Sequence, residues 1–258
     1  MTAALRVAAI QHDIVWEDRE ANLAALAEPV RAAAGDGARL VALTEMFAVG
    51  FSMATDRTAE PPDGPTTTWL REQAAATGAW VCGSVPVVDA AADRPANRCT
   101  LAGPGGELHT YDKRHPFSYA GESEHFAPGD ELVTVEIEGV RVSPAVCYDL
   151  RFANQFWAQA ADTDLYLVVA NWPSPRAHHW RALLVARAIE NQAYVLGVNR
   201  VGPDGGGLDH VGGSLAVDPL GEVLADGGTT ESIIAAEVDP AVVADVRARL
   251  PFMQDRRP

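Results

Sequence analysis

Cysteine, positive charge and long apolar runs are all scarce in this sequence. Three cysteines occur, an odd number, and no two form a Cys-x-x-Cys pair. That argues against a disulfide framework and against a structural zinc site. Lys and Arg total 20 against 35 Asp and Glu, a formal charge of -15. Such a surface repels phosphate backbones, so nucleic acid is not an expected partner. A site for an anionic ligand would need its own local cations. No apolar run reaches the roughly 20 residues of a membrane-spanning helix. The opening MTAALRVAAIQHDIVW has no basic segment followed by an apolar core and a cleavage site. It reads as a first strand entering a polar loop, and cytoplasm is the expected compartment.

Several catalytic signatures are also missing. There is no His-Glu-x-x-His and no His/Cys spacing suited to zinc, so no metal is expected. No glycine-rich stretch ends in Gly-Lys-Ser/Thr or joins a strand to a helix in the dinucleotide pattern, so no nucleotide cofactor is expected. No Gly-x-Ser-x-Gly elbow appears. No internal repeat, low-complexity linker or long like-charge block interrupts the chain.

What is present is a core-forming composition, 48% hydrophobic, which can bury a sizeable interior. Short runs rich in Val, Ile and Leu predict strands over 6–11, 39–43, 80–85, 98–102, 107–111, 132–137, 140–146, 165–170, 194–199, 214–217, 222–224 and 232–237. Apolar spacings of three and four predict helices over 18–34, 66–77, 177–191 and 239–247. Pro29 would kink the first helix or bound it. The stretch 97–111 reads as a hairpin around Gly103–Gly106, and 202–213 as a loop between strands. Alternating strands and helices favour an α/β architecture, and we read residues 1–258 as one domain.

Three residues stand where chemistry could begin. Cys147 closes the apolar run 142–146 and opens a polar segment where a helix could start. A thiol there has its thiolate favoured by the amide dipoles, although a small buried hydrophobe is the commoner use of a free cysteine. Cys82 and Cys99 lie inside strand-like runs, where that plainer use is expected. Glu45 follows an apolar strand end. Burial there would raise its pKa and make it a usable base, and a strand-end ion pair or helix cap is the alternative. Lys113 follows the hairpin and could hold charge developing on a carbonyl oxygen, or be a surface lysine beside Asp112. His178-His179 lies near a helix start. Trp172, Phe117 and Tyr119 lie in loop-like segments.

Taken together, these segments resemble the nitrilase superfamily of carbon–nitrogen hydrolases, whose members carry a Glu–Lys–Cys triad. The matching segments are Leu43-Thr44-Glu45-Met46-Phe47, Tyr111-Asp112-Lys113-Arg114-His115 and Cys147-Tyr148-Asp149-Leu150-Arg151-Phe152, in the family's order. Ala120-Gly121-Glu122 resembles the loop bearing the family's second glutamate. Asn171-Trp172-Pro173 resembles a further family loop, and Arg187-Ala188-Ile189-Glu190-Asn191 a family helix. Two positions depart from the pattern. Ala153 stands where the family usually has Pro, and Pro116 replaces an apolar residue at the pocket rim.

The resemblance implies a four-layer α-β-β-α sandwich, usually paired into a dimer, and no cofactor. It implies a cysteine thioester formed from a small amide, with water as second substrate. Glu45 would be the base. Lys113 and the backbone N–H of Tyr148 would hold the oxyanion, and Glu122 would orient Lys113 or the substrate. The omega-amidase branch, which cleaves the side-chain amide of 2-oxoglutaramate and 2-oxosuccinamate, is the most similar. An N-carbamoyl amino acid hydrolase, an aliphatic amidase, a nitrilase and a non-catalytic assembly protein on this fold are the alternatives. Trp172, Arg176 and Phe117 are candidate substrate contacts. Arg176 would hold the carboxylate of a 2-oxo acid amide; for Arg151 an internal ion pair is the alternative use.

Overall fold

A computed structural model of the chain describes residues 4–256; residues 1–3 and 257–258, at the two ends of the domain reading, lie outside the described residues. Two six-stranded sheets dominate. The first orders β14 (Ser232–Val238), β1 (Leu5–Gln11), β2 (Leu40–Ala42), β3 (Trp80–Val87), β4 (Ala96–Ala102) and β5 (Leu108–Asp112). The second orders β13 (Val223–Asp226), β12 (Leu215–Val217), β9 (Tyr194–Asn199), β8 (Leu165–Ala170), β7 (Val140–Val146) and β6 (Val135–Ile137). Both follow one plan. Three central strands run parallel, β1-β2-β3 in one sheet and β7-β8-β9 in the other. Antiparallel strands close the edges.

Side chains alternate across each strand, and both faces find apolar cover. In β1, Leu5, Val7 and Ala9 face the second sheet, packing with Val142, Val146, Leu167 and Val169 in one inter-sheet core. Ala8 and Ile10 face the other way, toward Leu26 and Val30 of α1 (Arg19–Gly35) and Leu70 and Ala74 of α2 (Pro65–Thr77). In β8, Tyr166 and Val168 likewise face outward, against Phe156 of α3 (Ala153–Gln159) and Trp180, Leu184 and Ala188 of α4 (Ala177–Asn191). The spacing of four between Trp180, Leu184 and Ala188 keeps them on one helical stripe. The result is the expected four-layer α-β-β-α sandwich.

Most expected elements are present, with shifted ends. The strand expected over 132–137 contains only Val135–Ile137, and that over 39–43 only Leu40–Ala42. Pro29 marks no boundary. It lies inside α1, which runs on to Gly35 and begins with Asp18 accepting from the Ala21 N–H at 3.0 Å. The last helix is α5 (Pro240–Arg249). The stretch read as a loop over 202–213 is instead an antiparallel ribbon, β10 (Val201–Pro203) against β11 (Asp209–Val211). Three residues a side, broken by Gly and Pro, leave no alternation to read. Among the described residues, no helix is long and apolar enough to cross a membrane.

Candidate active site

The parallel strands of both sheets end at one place. Leu43 and Thr44 lead from β2 to Glu45, whose turn is held by Met46 N–H donating to Ser84 Oγ at 2.8 Å. Lys113 follows β5 and stays in its ladder, its N–H donating to the Asn97 carbonyl at 2.9 Å. Cys147 follows β7 with φ +45, a left-handed conformation that costs a non-glycine residue on the order of 1 to 3 kcal/mol. The neighbours enforce that turn. Buried Asp149 accepts the Val146 N–H at 3.0 Å and the Tyr111 hydroxyl at 2.8 Å through one oxygen. Through the other it accepts the His115 N–H at 3.0 Å and meets His115 Nδ1 at 2.8 Å. One carboxylate thus ties the cysteine turn to the segment carrying Lys113.

Glu45, Lys113 and Glu122 form a network sealed from solvent. Lys113 Nζ donates to Glu45 Oε1 at 2.8 Å and to Glu122 Oε1 and Oε2 at 3.0 and 2.8 Å. Its three protons therefore match three acceptors. Burial pulls the Lys113 pKa down, but the charges of Glu122 and Glu45 more than offset this, and the ammonium is retained. Burial raises the pKa of Glu122, with Lys113 opposing and Glu45 adding to the rise. Asn97 Nδ2 bridges both carboxylates, 2.8 Å from Glu45 Oε1 and 3.0 Å from Glu122 Oε1. The second Glu45 oxygen accepts the Asn171 N–H at 2.9 Å.

Burial pushes the Cys147 thiol well above its ordinary range. Glu45 adds to the rise by its charge and by a hydrogen bond, Glu122 adds further, and Lys113 opposes them. The amide dipoles expected to favour the thiolate do not offset these effects. The segment after Cys147 is a short 3-10 turn, Cys147–Arg151, and the neighbouring carboxylate outweighs it. What the geometry offers is a thiol beside a base.

A cavity of about 300 Å³ opens above this group, with Glu45 and Cys147 in its wall. Phe51, Met53, Phe117 and Trp172 make it largely apolar, and Arg151 and Arg176 bring two guanidinium groups. Among the described residues, neither arginine has a carboxylate within ion-pair distance. Arg151 lies over the Trp172 ring at 4.8 Å and contacts His179 Nδ1 at 3.2 Å, so the expected internal ion pair is absent. Arg176 lies over the Phe117 ring at 5.5 Å. Trp172 is pinned by its N–H to Asn199 Oδ1 and its Nε1 to the Arg176 carbonyl. Tyr148 packs on Phe117 at 4.8 Å, and its N–H lies in the first turn of the 3-10 segment, where N–H groups lack helical acceptors.

Glu45, Lys113, Glu122, Cys147, Tyr148, Phe117, Trp172 and Arg176 converge here. Lys113 and Glu122 lie beneath the cavity, and the others line it. Cys82 and Cys99 are buried in the inter-sheet core, as expected. Tyr119 is 87% exposed, and only its ring contact with Phe117 connects it to the rim. Asn97 and the ribbon residue His210 were missed. Asn97 is the second residue of β4, and nothing in its sequence neighbourhood marks it out. Among the described residues no group of His, Cys, Asp and Glu is arranged to hold a metal ion.

Comparison with known proteins agrees with this architecture. The chain is 40% identical over 253 residues to omega-amidase YafV of Escherichia coli, covering 97% of this chain and 96% of that protein. It is 34% identical to the 2-oxoglutaramate amidase of Bacillus subtilis, covering 85% of each. The crystal structure of a CN-hydrolase superfamily protein from Xanthomonas campestris superposes with a TM-score of 0.91 at 40% identity, over 99% of this chain and 98% of that one. The carbon-nitrogen hydrolase family model matches residues 6–248, and the chain belongs to that family.

Proposed function

We propose that this protein hydrolyses the terminal amide of a small linear 2-oxo acid, of the 2-oxoglutaramate or 2-oxosuccinamate kind, to carboxylate and ammonia through a thioester on Cys147. The observation that carries the reading is the meeting of Glu45, Lys113 and Cys147 at one cavity that also holds two arginines without carboxylate partners. In a chain of charge -15, two such cations fit a substrate carboxylate. The amidases of Escherichia coli and Bacillus subtilis named above support the same substrate class.

In this reading Sγ of Cys147 attacks the amide carbon while Glu45 takes the thiol proton. Protonated Glu45 is neutral, so its hold on Lys113 weakens. One Nζ proton can then turn to the new oxyanion, beside the Tyr148 N–H. Losing such a donor costs on the order of 100- to 1000-fold in rate. Glu45 passes its proton to the departing ammonia, leaving the thioester. Water then attacks that carbon, again giving a proton to Glu45, and the carboxylate product leaves as the proton returns to sulfur. Glu122 keeps the ammonium in place. Arg176, with Arg151, holds the substrate carboxylate, and Phe117 and Trp172 flank its chain.

The whole chain acts as one domain, since Glu45 and Lys113 come from one sheet and Cys147 from the other. A homodimer is supported by exposed Trp157 and Ile189 on the two helices covering the second sheet. A cytoplasmic site is supported by three unpaired cysteines, the state a reducing compartment maintains. The test is ammonia release from 2-oxoglutaramate, an N-carbamoyl amino acid and a simple nitrile, with mass spectrometry of a stalled reaction. The expected result is turnover of the first and an acyl adduct on Cys147. Preference for the carbamoyl compound or the nitrile, or an adduct elsewhere, would overturn the reading.

A further inference from the structure

The ribbon β10–β11 forms one wall of the cavity, and its most enclosed polar residue has no assigned task. His210, in β11, is 5% exposed and lines the cavity together with Arg176. Its Nδ1 is buried without a hydrogen-bond partner, whereas Nε2 is not sealed in this way. A neutral imidazole has one N–H and one bare nitrogen. An orphaned N–H is rarer inside proteins than an under-used acceptor. We assign the proton to Nε2, the nitrogen that is not sealed in the interior. Burial lowers the pKa of His210, and the nearby Arg200 lowers it further, so the ring is neutral at neutral pH; Asp204 and the carbonyls of Leu208 and Gly202 only partly oppose this.

The ring is also firmly placed. Fully buried Arg200 bonds Asp13 Oδ1 at 2.7 Å and the Pro203 carbonyl at 2.9 Å, fixing the first strand of the ribbon. Val201 N–H donates to the His12 carbonyl at 3.1 Å. Ser174 Oγ donates to the Asp209 carbonyl at 2.7 Å, joining the ribbon to the turn that carries Arg176. At the tip, a Cβ on Gly205 would lie 2.2 Å from the Trp16 ring, so only glycine lets the ribbon close on that side chain. Asp204 Oδ1 accepts the N–H groups of its own turn, Gly206 and Leu208, at 2.9 Å each.

We propose that His210 is a specificity residue that donates a hydrogen bond from Nε2 to the 2-oxo oxygen of the substrate, beside the carboxylate held at Arg176. The inference rests on the substrate class proposed above. It explains how one site tells a 2-oxo acid amide from an acid amide of equal length without that oxygen. An N–H donor among guanidinium groups also disfavours a 2-ammonium group, as in glutamine.

The experiment compares kcat/KM for 2-oxoglutaramate, glutaramate and L-glutamine in the wild-type protein and in His210→Phe, which keeps a flat ring and loses the N–H. The alkylation rate of Cys147 by iodoacetamide reports an intact site. The wild-type protein should favour 2-oxoglutaramate over glutaramate by roughly tenfold, the scale of one well-made hydrogen bond. His210→Phe should bring that ratio close to one, by loss on the 2-oxo substrate alone, with alkylation unchanged. His210→Asn, with a shorter donor, gives an intermediate ratio and serves if the Phe variant does not fold. An unchanged ratio in either folded variant overturns the role of His210. A wild-type protein that releases ammonia from none of the three overturns the substrate class instead.

Discussion

Asn97 donates from one amide nitrogen to Glu45 at 2.8 Å, and this contact joins the start of β4 to the base of the cavity. The same nitrogen reaches Glu122, so a single neutral side chain spaces two carboxylates that would otherwise repel each other around Lys113. Asn97→Leu should leave both carboxylates short of a donor. A buried acceptor without its donor costs about 1 to 3 kcal/mol. Urea unfolding should register that loss, and ammonia release should fall with it. Unchanged stability would remove the bridge from the account.

Among the described residues, Lys113 is the only cation bonded to two buried carboxylates. Removing one partner of a buried ion pair leaves uncompensated charge and costs about 3 to 5 kcal/mol. Lys113→Met should destabilise by that order. Adding Glu122→Gln should restore part of it, because one stranded charge is removed. A double variant no more stable than the single one would contradict this.

Cys147→Ala should abolish turnover and leave the fold intact, since the side chain is small and stands in the cavity wall. Cys82→Ala should keep turnover while lowering the melting temperature, because Cys82 fills part of the inter-sheet core. Ammonia release and a thermal scan on both variants separate nucleophile from packing. Normal turnover by Cys147→Ala would end the mechanism.

Burial raises all three thiols, Cys99 to about 12. A folded pKa above the unfolded one means that the folded chain keeps its proton longer. The associated stability is fully present below the unfolded thiol value of about 8.5 and is lost as pH rises through the folded values. Each thiol contributes up to about 1.4 kcal/mol per pH unit in that window. Cys147→Ala should lessen the alkaline slope by that amount. Unfolding free energies from pH 8.5 upward check it, and identical slopes would contradict the raised thiol.

Glu45, Lys113 and Cys147 could be read in the sequence because each follows directly on a strand and sits in a distinctive short segment. Strands such as β8 and β9 were visible because both their faces are buried and they appear as apolar runs, whereas their arrangement into two sheets was implied only by the family resemblance. Asn97 was not legible, because its partners lie 52 and 25 residues away in the chain and its own neighbours look like any strand start. The ribbon escaped because glycine and proline hide strand periodicity, and His210 escaped with it. Arg151 was given an ion pair because its neighbourhood in sequence says nothing of the empty wall it faces. The rise of the Cys147 thiol was not legible, because a strand-end position reveals nearby backbone dipoles but neither the burial nor the carboxylate arriving from the other sheet.

The nucleophile and its base hang from opposite halves of the sandwich, kept in step by the apolar inter-sheet core and, near the cavity, by the bonds of Asp149 to Tyr111 and His115 and of Asn171 to Glu45. Turnover therefore serves as a gauge of that seam. Trimming Val142, well below the cavity, should slacken the alignment of sulfur and carboxylate without touching either. On warming, such a variant would fall silent while its helices and strands still give a native spectrum.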